Sequence, residues 1–215
     1  MTAAVDFDWN GTRWRLLPRG AAFWVDQSLG MVADLHLGRA QTHRRFGLYL
    51  PDGGDGEDLA HLSELGRRAG WSQLLILGDV FHGLGPGDVA VVDSFLRWRD
   101  RQPFEVSILQ GNHDRMAQEL FPGRGLNFVG EEALINGFRF THLPAEGVLP
   151  NVCGHLHPGL RLKDAAGCVV SCKAFWWSER QLVLPGFGST TRLRPLDRGR
   201  TWRVFATGED QVFEV

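Results

Sequence analysis

Leu74-Leu75-Ile76-Leu77-Gly78-Asp79 decides how the chain is read: four consecutive apolar residues suit a buried strand, and the Gly-Asp that ends it sets a carboxylate at the strand's carboxyl end. The same arrangement recurs along the chain. Met31-Val32-Ala33 runs into Asp34-Leu35-His36, Ser107-Ile108-Leu109 is followed by Gly111-Asn112-His113-Asp114, and Phe138-Arg139-Phe140 runs into Thr141-His142. A fifth motif, Gly154-His155-Leu156-His157, follows the short run Val152-Cys153. A sheet whose carboxyl edge carries its polar chemistry is the place to look for a site.

Outward from these runs, strands and helices alternate. Asp6 to Val25 carries β-favouring aromatics around Asn10-Gly11 and Pro18, which predicts a leading hairpin or strand pair. Pro51-Asp52-Gly53-Gly54-Asp55-Gly56 is rich in breakers and predicts a loop. Leu59, Leu62, Leu65 and Ala69 share a helical face within Asp58 to Ala69, and Val89, Val92, Phe95 and Leu96 do so within Asp88 to Arg101. From Asn127 onward the chain reads mainly as strands. The expectation is one domain over residues 1–215, an α/β sandwich of two mixed β-sheets flanked by helices.

At 215 residues and 43% hydrophobic, the chain can bury a sizeable core. A net charge of -2 and a pI near 6.4 give no global pull toward nucleic acid, so only local basic clusters matter. Of 23 basic residues only Lys163 and Lys173 are lysines, which we attribute to biased genome composition. The amino terminus has no secretory pattern and no apolar run is long enough to span a membrane. Three cysteines, Cys153, Cys168 and Cys172, supply neither a disulfide framework nor a four-thiolate zinc site. A cytoplasmic protein without membrane contact is expected.

Residues two apart on an extended segment face one side, so Asp34 and His36 can reach one cation, as can His155 and His157 if their segment is extended. A carboxylate has two oxygens, and Asp79 can bridge two cations roughly 3.5–4 Å apart. Asn112, His142 and one of the paired histidines would complete the second. Imidazole, carboxylate and amide without thiolate suit manganese, iron or zinc, with two manganese ions as the expected cofactors. His43 and His61, in a polar segment and among helical leucines, stay outside the ligand set. Gly83-Leu84-Gly85-Pro86-Gly87 lacks the strand and lysine of a phosphate loop, and Phe175-Trp176-Trp177 reads as packing.

Taken with their flanks, Asp34-Leu35-His36-Leu37-Gly38-Arg39, Leu77-Gly78-Asp79-Val80-Phe81-His82, Gly111-Asn112-His113-Asp114-Arg115, Gly154-His155-Leu156-His157-Pro158 and Leu184-Pro185-Gly186-Phe187-Gly188 resemble the calcineurin-like metallophosphoesterase superfamily. Within it they are similar to the ligase-associated DNA damage response endonucleases, the PdeM branch. The resemblance implies that Asp34, His36 and His157 hold one metal, that Asp79 bridges, and that Asn112, His142 and His155 hold the other. It makes His113 the acid that protonates the leaving oxygen, oriented by Asp114, while a water activated between the metals attacks phosphorus. Arg39, Arg44, Arg45 and His82 fall on the substrate side. Ser189-Thr190-Thr191-Arg192 departs from the glycine-rich sequence expected after the Phe-Gly step.

Three functions follow. The first is a phosphodiesterase or endonuclease on nucleic acid, with DNA as substrate and a ligase, helicase or exonuclease as repair partners. The second is a phosphoesterase for a small nucleotide or lipid-linked phosphate. The third is a non-catalytic scaffold, against which the intact ligand set and His113 argue. The first two differ in their rim, an open basic groove against a lidded pocket.

Overall fold

Alternate residues of the central strands are apolar on both faces, so each strand needs cover on two sides. The computed structural model describes residues 3–48, 54–163, 167–195 and 202–215. The first sheet follows chain order: β1 (Val5–Trp9), β2 (Thr12–Leu17), β3 (Ala21–Trp24), β4 (Leu29–Val32), β5 (Gln73–Ile76), β6 (Glu105–Leu109) and β7 (Phe128–Gly130). Pairing is antiparallel from β1 to β4 and parallel from β4 to β7. The β1–β2 turn sits on Asn10 (φ 53) and Gly11 (φ 72), the two positive φ values that a two-residue hairpin loop needs. Parallel neighbours require crossovers, supplied by α1 (Arg39–Arg45) and α2 (Gly54–Ala69), then α3 (Val89–Arg99), then α4 (Asp114–Leu120).

The second sheet uses β8 (Glu132–Ile135), β9 (Phe138–Thr141), β10 (Asn151–Cys153), β11 (Pro158–Lys163), β12 (Val169–Trp177), β13 (Gln181–Val183), β14 (Arg194–Pro195), β15 (Arg203–Thr207) and β16 (Val212–Glu214). Its order is β14-β11-β12-β13-β10-β9-β8, with β15 on β12 and β16 on β15. Alternation sends Leu74 and Ile76 of β5 toward the helices, whereas Leu75, with Leu77 just beyond, faces the second sheet. The inter-sheet core is aromatic: Trp9, Trp14 and Trp24 meet Phe138, Phe140, Phe175 and Phe205. Trp24 stacks on Trp14 at 4.9 Å and meets Phe138 edge-on at 4.9 Å. Trp176 turns to a separate cluster with Cys153 and Val204, so the 175–177 run is packing.

The expected sandwich of two mixed sheets flanked by helices is the fold observed. Its differences from expectation are local. Gly54, Asp55 and Gly56 open α2 where a loop is expected, because the Asp55 carboxylate accepts the Gly38 N–H at 2.8 Å and acidic side chains suit a first helical turn. Residues 51–53 of that stretch lie outside the described residues. The helices α1 and α4, of seven residues each, are too short to display a periodicity. The leading hairpin is joined by β3 and β4 into a meander.

Replacing Trp24, which is fully buried, by Ala should lower unfolding free energy by about 3–5 kcal/mol in urea titration. A loss under about 1 kcal/mol would show that the inter-sheet aromatics do not hold the layers together.

Candidate metal centre

The five motifs converge because the strands before them end at one edge. Asp34 follows β4, Asp79 follows β5, Asn112 and His113 follow β6, His142 follows β9, and His155 and His157 follow β10. Backbone hydrogen bonds continue the β4–β5 ladder past the strand ends, from Asp34 N–H to Gly78 O at 3.1 Å and from His36 N–H to Asp79 O at 3.0 Å. In the second sheet Gly154 N–H reaches His142 O at 3.1 Å.

The extended backbone expected for Asp34-Leu35-His36 and His155-Leu156-His157 is not what forms. Asp34 (φ 56), His36 (φ 52), Asp79 (φ 52), His155 (φ 65) and His157 (φ 47) are all left-handed, five of the nine non-glycine residues with positive φ among the described residues. Each costs on the order of 1–3 kcal/mol and persists because its surroundings over-determine it. The kinked backbone aims successive side chains into one point rather than along one face. Gly111 is required by the same crowding: a Cβ there would lie 2.2 Å from Asp79 Oδ1.

Among the described residues two groups that include a carboxylate result, Asp34 with His36 and His157, and Asp79 with His142 and His155, beside an all-imidazole group of His36, His82 and His113. In the first, His157 Nε2 stands 3.2 Å from Asp34 Oδ1 and 3.3 Å from His36 Nε2. In the second, His142 Nε2 lies 3.4 Å from Asp79 Oδ2, 3.1 Å from His155 Nδ1 and 3.0 Å from Asn112 Oδ1. The groups abut, since Asp34 Oδ1 is 4.0 Å from His142 Nδ1 and Asp34 Oδ2 accepts the His155 N–H at 2.9 Å. His142 Nδ1 donates to the Leu77 carbonyl at 2.8 Å, which fixes the ring and turns Nε2 toward the donors.

These residues fit divalent cations. Asp34 Oδ1 is buried and has no hydrogen-bond partner among the described residues, a costly arrangement for a carboxylate unless a cation meets it. Burial lowers the His36 imidazole to about 3, leaving it a neutral donor at pH 7. Burial also disfavours charge on His142, yet its bond to Asp79 and the charge of Asp34 raise it to about 9. Burial opposes ionisation of Asp79 as well, but His142 and the His113 N–H hold it down to about 2. The two buried carboxylates thus draw positive charge to one spot.

Other predicted residues take varied places. His113 is half-buried, its backbone N–H donating to Asp79 Oδ1 at 2.9 Å and its ring 4.7 Å from that of His82. Asp114 does not reach the His113 ring among the described hydrogen bonds; its carboxylate accepts Gly111 N–H at 3.0 Å and Phe81 N–H at 3.2 Å. It therefore braces two ligand-bearing loops, and burial raises it to about 7. His82 Nδ1 is 3.1 Å from His36 Nδ1, and burial, with the charges of His113 and Arg39, lowers it to about 4. His43, set aside in the sequence, stacks against His82 at 6.0 Å, a proximity that α1 creates and no motif announces. His61 lies apart, against Arg19 Nη1 at 3.0 Å.

The arginines divide. Arg45 pairs with Asp88 at 2.6 Å and donates to Thr42 Oγ1 and the Gly83 carbonyl, so it ties α1 to the next loop. Arg39 is half-buried, and its Nε has no hydrogen bond among the described residues.

A two-sheet α/β sandwich that gathers two Asp/His groups at its strand ends is consistent with a metallophosphoesterase and supports metal-dependent phosphoester hydrolysis. The particular protein it resembles is nuclease MPE of Pseudomonas putida, with a TM-score of 0.82 and 26% identity over 99% of this chain and 100% of that one. More distant are the Escherichia coli phosphoesterase Yfce (TM-score 0.42, 18% identity, 82% of this chain and 86% of that) and a dimetal phosphatase of Danio rerio (0.45, 14%, 92% and 95%). No protein-family model and no curated protein sequence matches the chain. None of the described helices is long and apolar enough to cross a membrane.

Gly111→Ala should keep the native circular dichroism spectrum while weakening divalent-metal binding at least roughly tenfold in calorimetric titration, because the added methyl displaces Asp79. Unchanged affinity would show that the Asp79 geometry is not needed for binding.

Proposed function

We propose that the chain is a phosphodiesterase that acts as a DNA endonuclease in ligase-associated repair. The observation that carries this reading is the whole-length likeness to a nuclease, held together with two intact donor groups. Asp34, His36 and His157 would hold one cation and Asn112, His142 and His155 the other, with Asp79 shared between them. When bound, two divalent ions, manganese first and iron or zinc by the same donor chemistry, activate water and offset charge on the phosphoryl oxygens. Among the described residues the donor groups contain two carboxylates, Asp34 and Asp79, so a centre holding two divalent ions would keep surplus positive charge for an anionic ester.

The chain's own groups do the rest. The half-buried His113 ring is open to substrate and delivers a proton to the leaving oxygen, while its N–H holds Asp79 in place. Arg39, whose charge acts on His82, would take a backbone phosphate, with Arg44 and His82 as further candidates for that contact. Arg45 is committed to Asp88 and supports this side only through α1. Resemblance to the ligase-associated branch supports a cytoplasmic setting and repair partners such as a ligase, helicase or exonuclease.

Metal-loaded protein should hydrolyse bis-p-nitrophenyl phosphate faster than the mono ester and should cut a labelled single- or double-stranded DNA oligonucleotide internally. Diester hydrolysis without oligonucleotide cleavage would move the substrate to a small nucleotide. Asp79→Asn should abolish turnover together with the second metal. His113→Ala keeps the backbone N–H on Asp79, so turnover should fall roughly 10²–10⁴-fold with both metals retained. Metal loss in that variant would make His113 part of the metal shell.

A further inference from the structure

We infer that Lys173 and Asp58 are positioning residues for Asp34, acting through the segment Gly186 to Thr191 that carries the Asp34 main chain. The inference rests on the reading of Asp34 as a metal ligand. The unusual backbone at Asp34 is held from outside: its carbonyl accepts Gly188 N–H at 3.2 Å and Thr191 Oγ1–H at 3.3 Å, and Phe187 N–H bonds the preceding Ala33 carbonyl at 2.8 Å. The contact is tight enough that a Cβ on Gly188 would lie 2.2 Å from the Leu35 carbonyl oxygen. The segment thus holds the carbonyl side of Asp34, while Gly78 O holds its N–H.

The segment belongs to no helix or strand, and beyond its main-chain bonds to Ala33 and Asp34 several of its remaining polar groups are met by side chains. Lys173 on β12 donates from Nζ to the Phe187 carbonyl at 2.5 Å and to the Gly188 carbonyl at 3.3 Å. Asp58 on α2 accepts from the other end, taking Ser189 N–H at 2.8 Å and Ser189 Oγ–H at 3.0 Å. A cation on successive carbonyls and an anion on the following N–H form a charge-assisted clamp, stronger than neutral bonds of the same geometry. Lys173 and Asp58 also line one cleft of about 360 Å³ with Arg19 and Ser189, and none of the metal-site histidines lines it. Burial lowers Lys173 to about 8, with Asp58 opposing that shift, so the ammonium persists at pH 7.

This arrangement gives Ser189-Thr190-Thr191-Arg192 a function where it departs from a glycine-rich sequence. Ser189 is the clamp's grip for Asp58 and Thr191 its contact on Asp34. Removing either charge frees the segment to shift, and Asp34 then loses its fixed carboxylate geometry while Asp79 and His142 do not.

The test is Mn2+ binding to metal-free full-length protein, followed by calorimetry and by electron paramagnetic resonance of the exchange-coupled manganese pair. Lys173→Met should weaken one of two Mn2+ sites at least tenfold, leave the other within about twofold and remove the coupled signal at stoichiometric metal, with excess Mn2+ restoring it. Lys173→Arg, which keeps a cation, should recover most of the affinity. Asp58→Ala should reproduce the selective loss and serves if Lys173→Met does not fold. Two unchanged Mn2+ sites in either folded variant, or equal weakening of both sites, would overturn the clamp. Wild-type protein that binds no Mn2+ would overturn the metal reading of Asp34 instead.

Discussion

Two carboxylates buried side by side at the ends of parallel strands constrain everything else in this molecule. Asp34 and Asp79 are 0% and 2% exposed, and ionised groups at that depth are tolerated only with positive charge and hydrogen bonds around them. The surrounding chain answers that need. Seven of its eight histidines lie in or against the cluster: His36, His142, His155 and His157 as donors, His113 and His82 across the opening, and His43 stacked behind His82. Backbone N–H groups of His113 and His155 point at carboxylate oxygens.

The same constraint explains the glycines and the strained ligands together. A strand continued in extended conformation would carry alternate side chains to opposite faces and away from the edge. A left-handed residue at five of the seven candidate ligands turns the chain across the edge, and neighbouring loops then approach closely enough for Asp34 to touch the His155 backbone and Asp79 the His113 backbone. Asp114 belongs to this logic. Its carboxylate joins Gly111 to Phe81, so it fastens the loop bearing Asn112 and His113 to the one bearing Asp79 and His82.

Much of this was legible in the sequence because apolar runs ending in Asp, Asn or His carry both the strand and its cargo in a few adjacent residues. Leu74 to Asp79 is such a unit, and the sandwich and the donor set follow from five of them. Contacts made across the fold carry no local mark. Arg45 reads like a phosphate binder until the start of α3 brings Asp88 to it, and His43, in a polar segment, reads as outside the ligand set, yet α1 lays it on His82. Lys173 sits in a strand far from every motif, and only pairing β12 into the second sheet brings its amine to the Phe187 carbonyl. The D-x-H alternation names residues that the structure does bring together, but with the wrong backbone, since the two-residue spacing is equally compatible with two left-handed turns.

Strain at five ligands needs a rigid counterpart, and the inter-sheet layer supplies it. Trp9, Trp14 and Trp24 interlock with Phe138 at centroid distances of 4.9 to 5.0 Å, and Phe138 and Phe140 belong to β9, the strand that ends just before His142. The packing that fixes the separation of the two sheets therefore also fixes where His142 stands relative to Asp79, one carried by each sheet. Sheet separation is set by ring thickness and tolerates little drift, because close-packed interiors lose contact energy over fractions of an ångström. A metal centre divided between two sheets can hold donors at 3 to 4 Å only if the layers cannot slide, and an aromatic core provides that stiffness where aliphatic side chains with more rotamers would provide less.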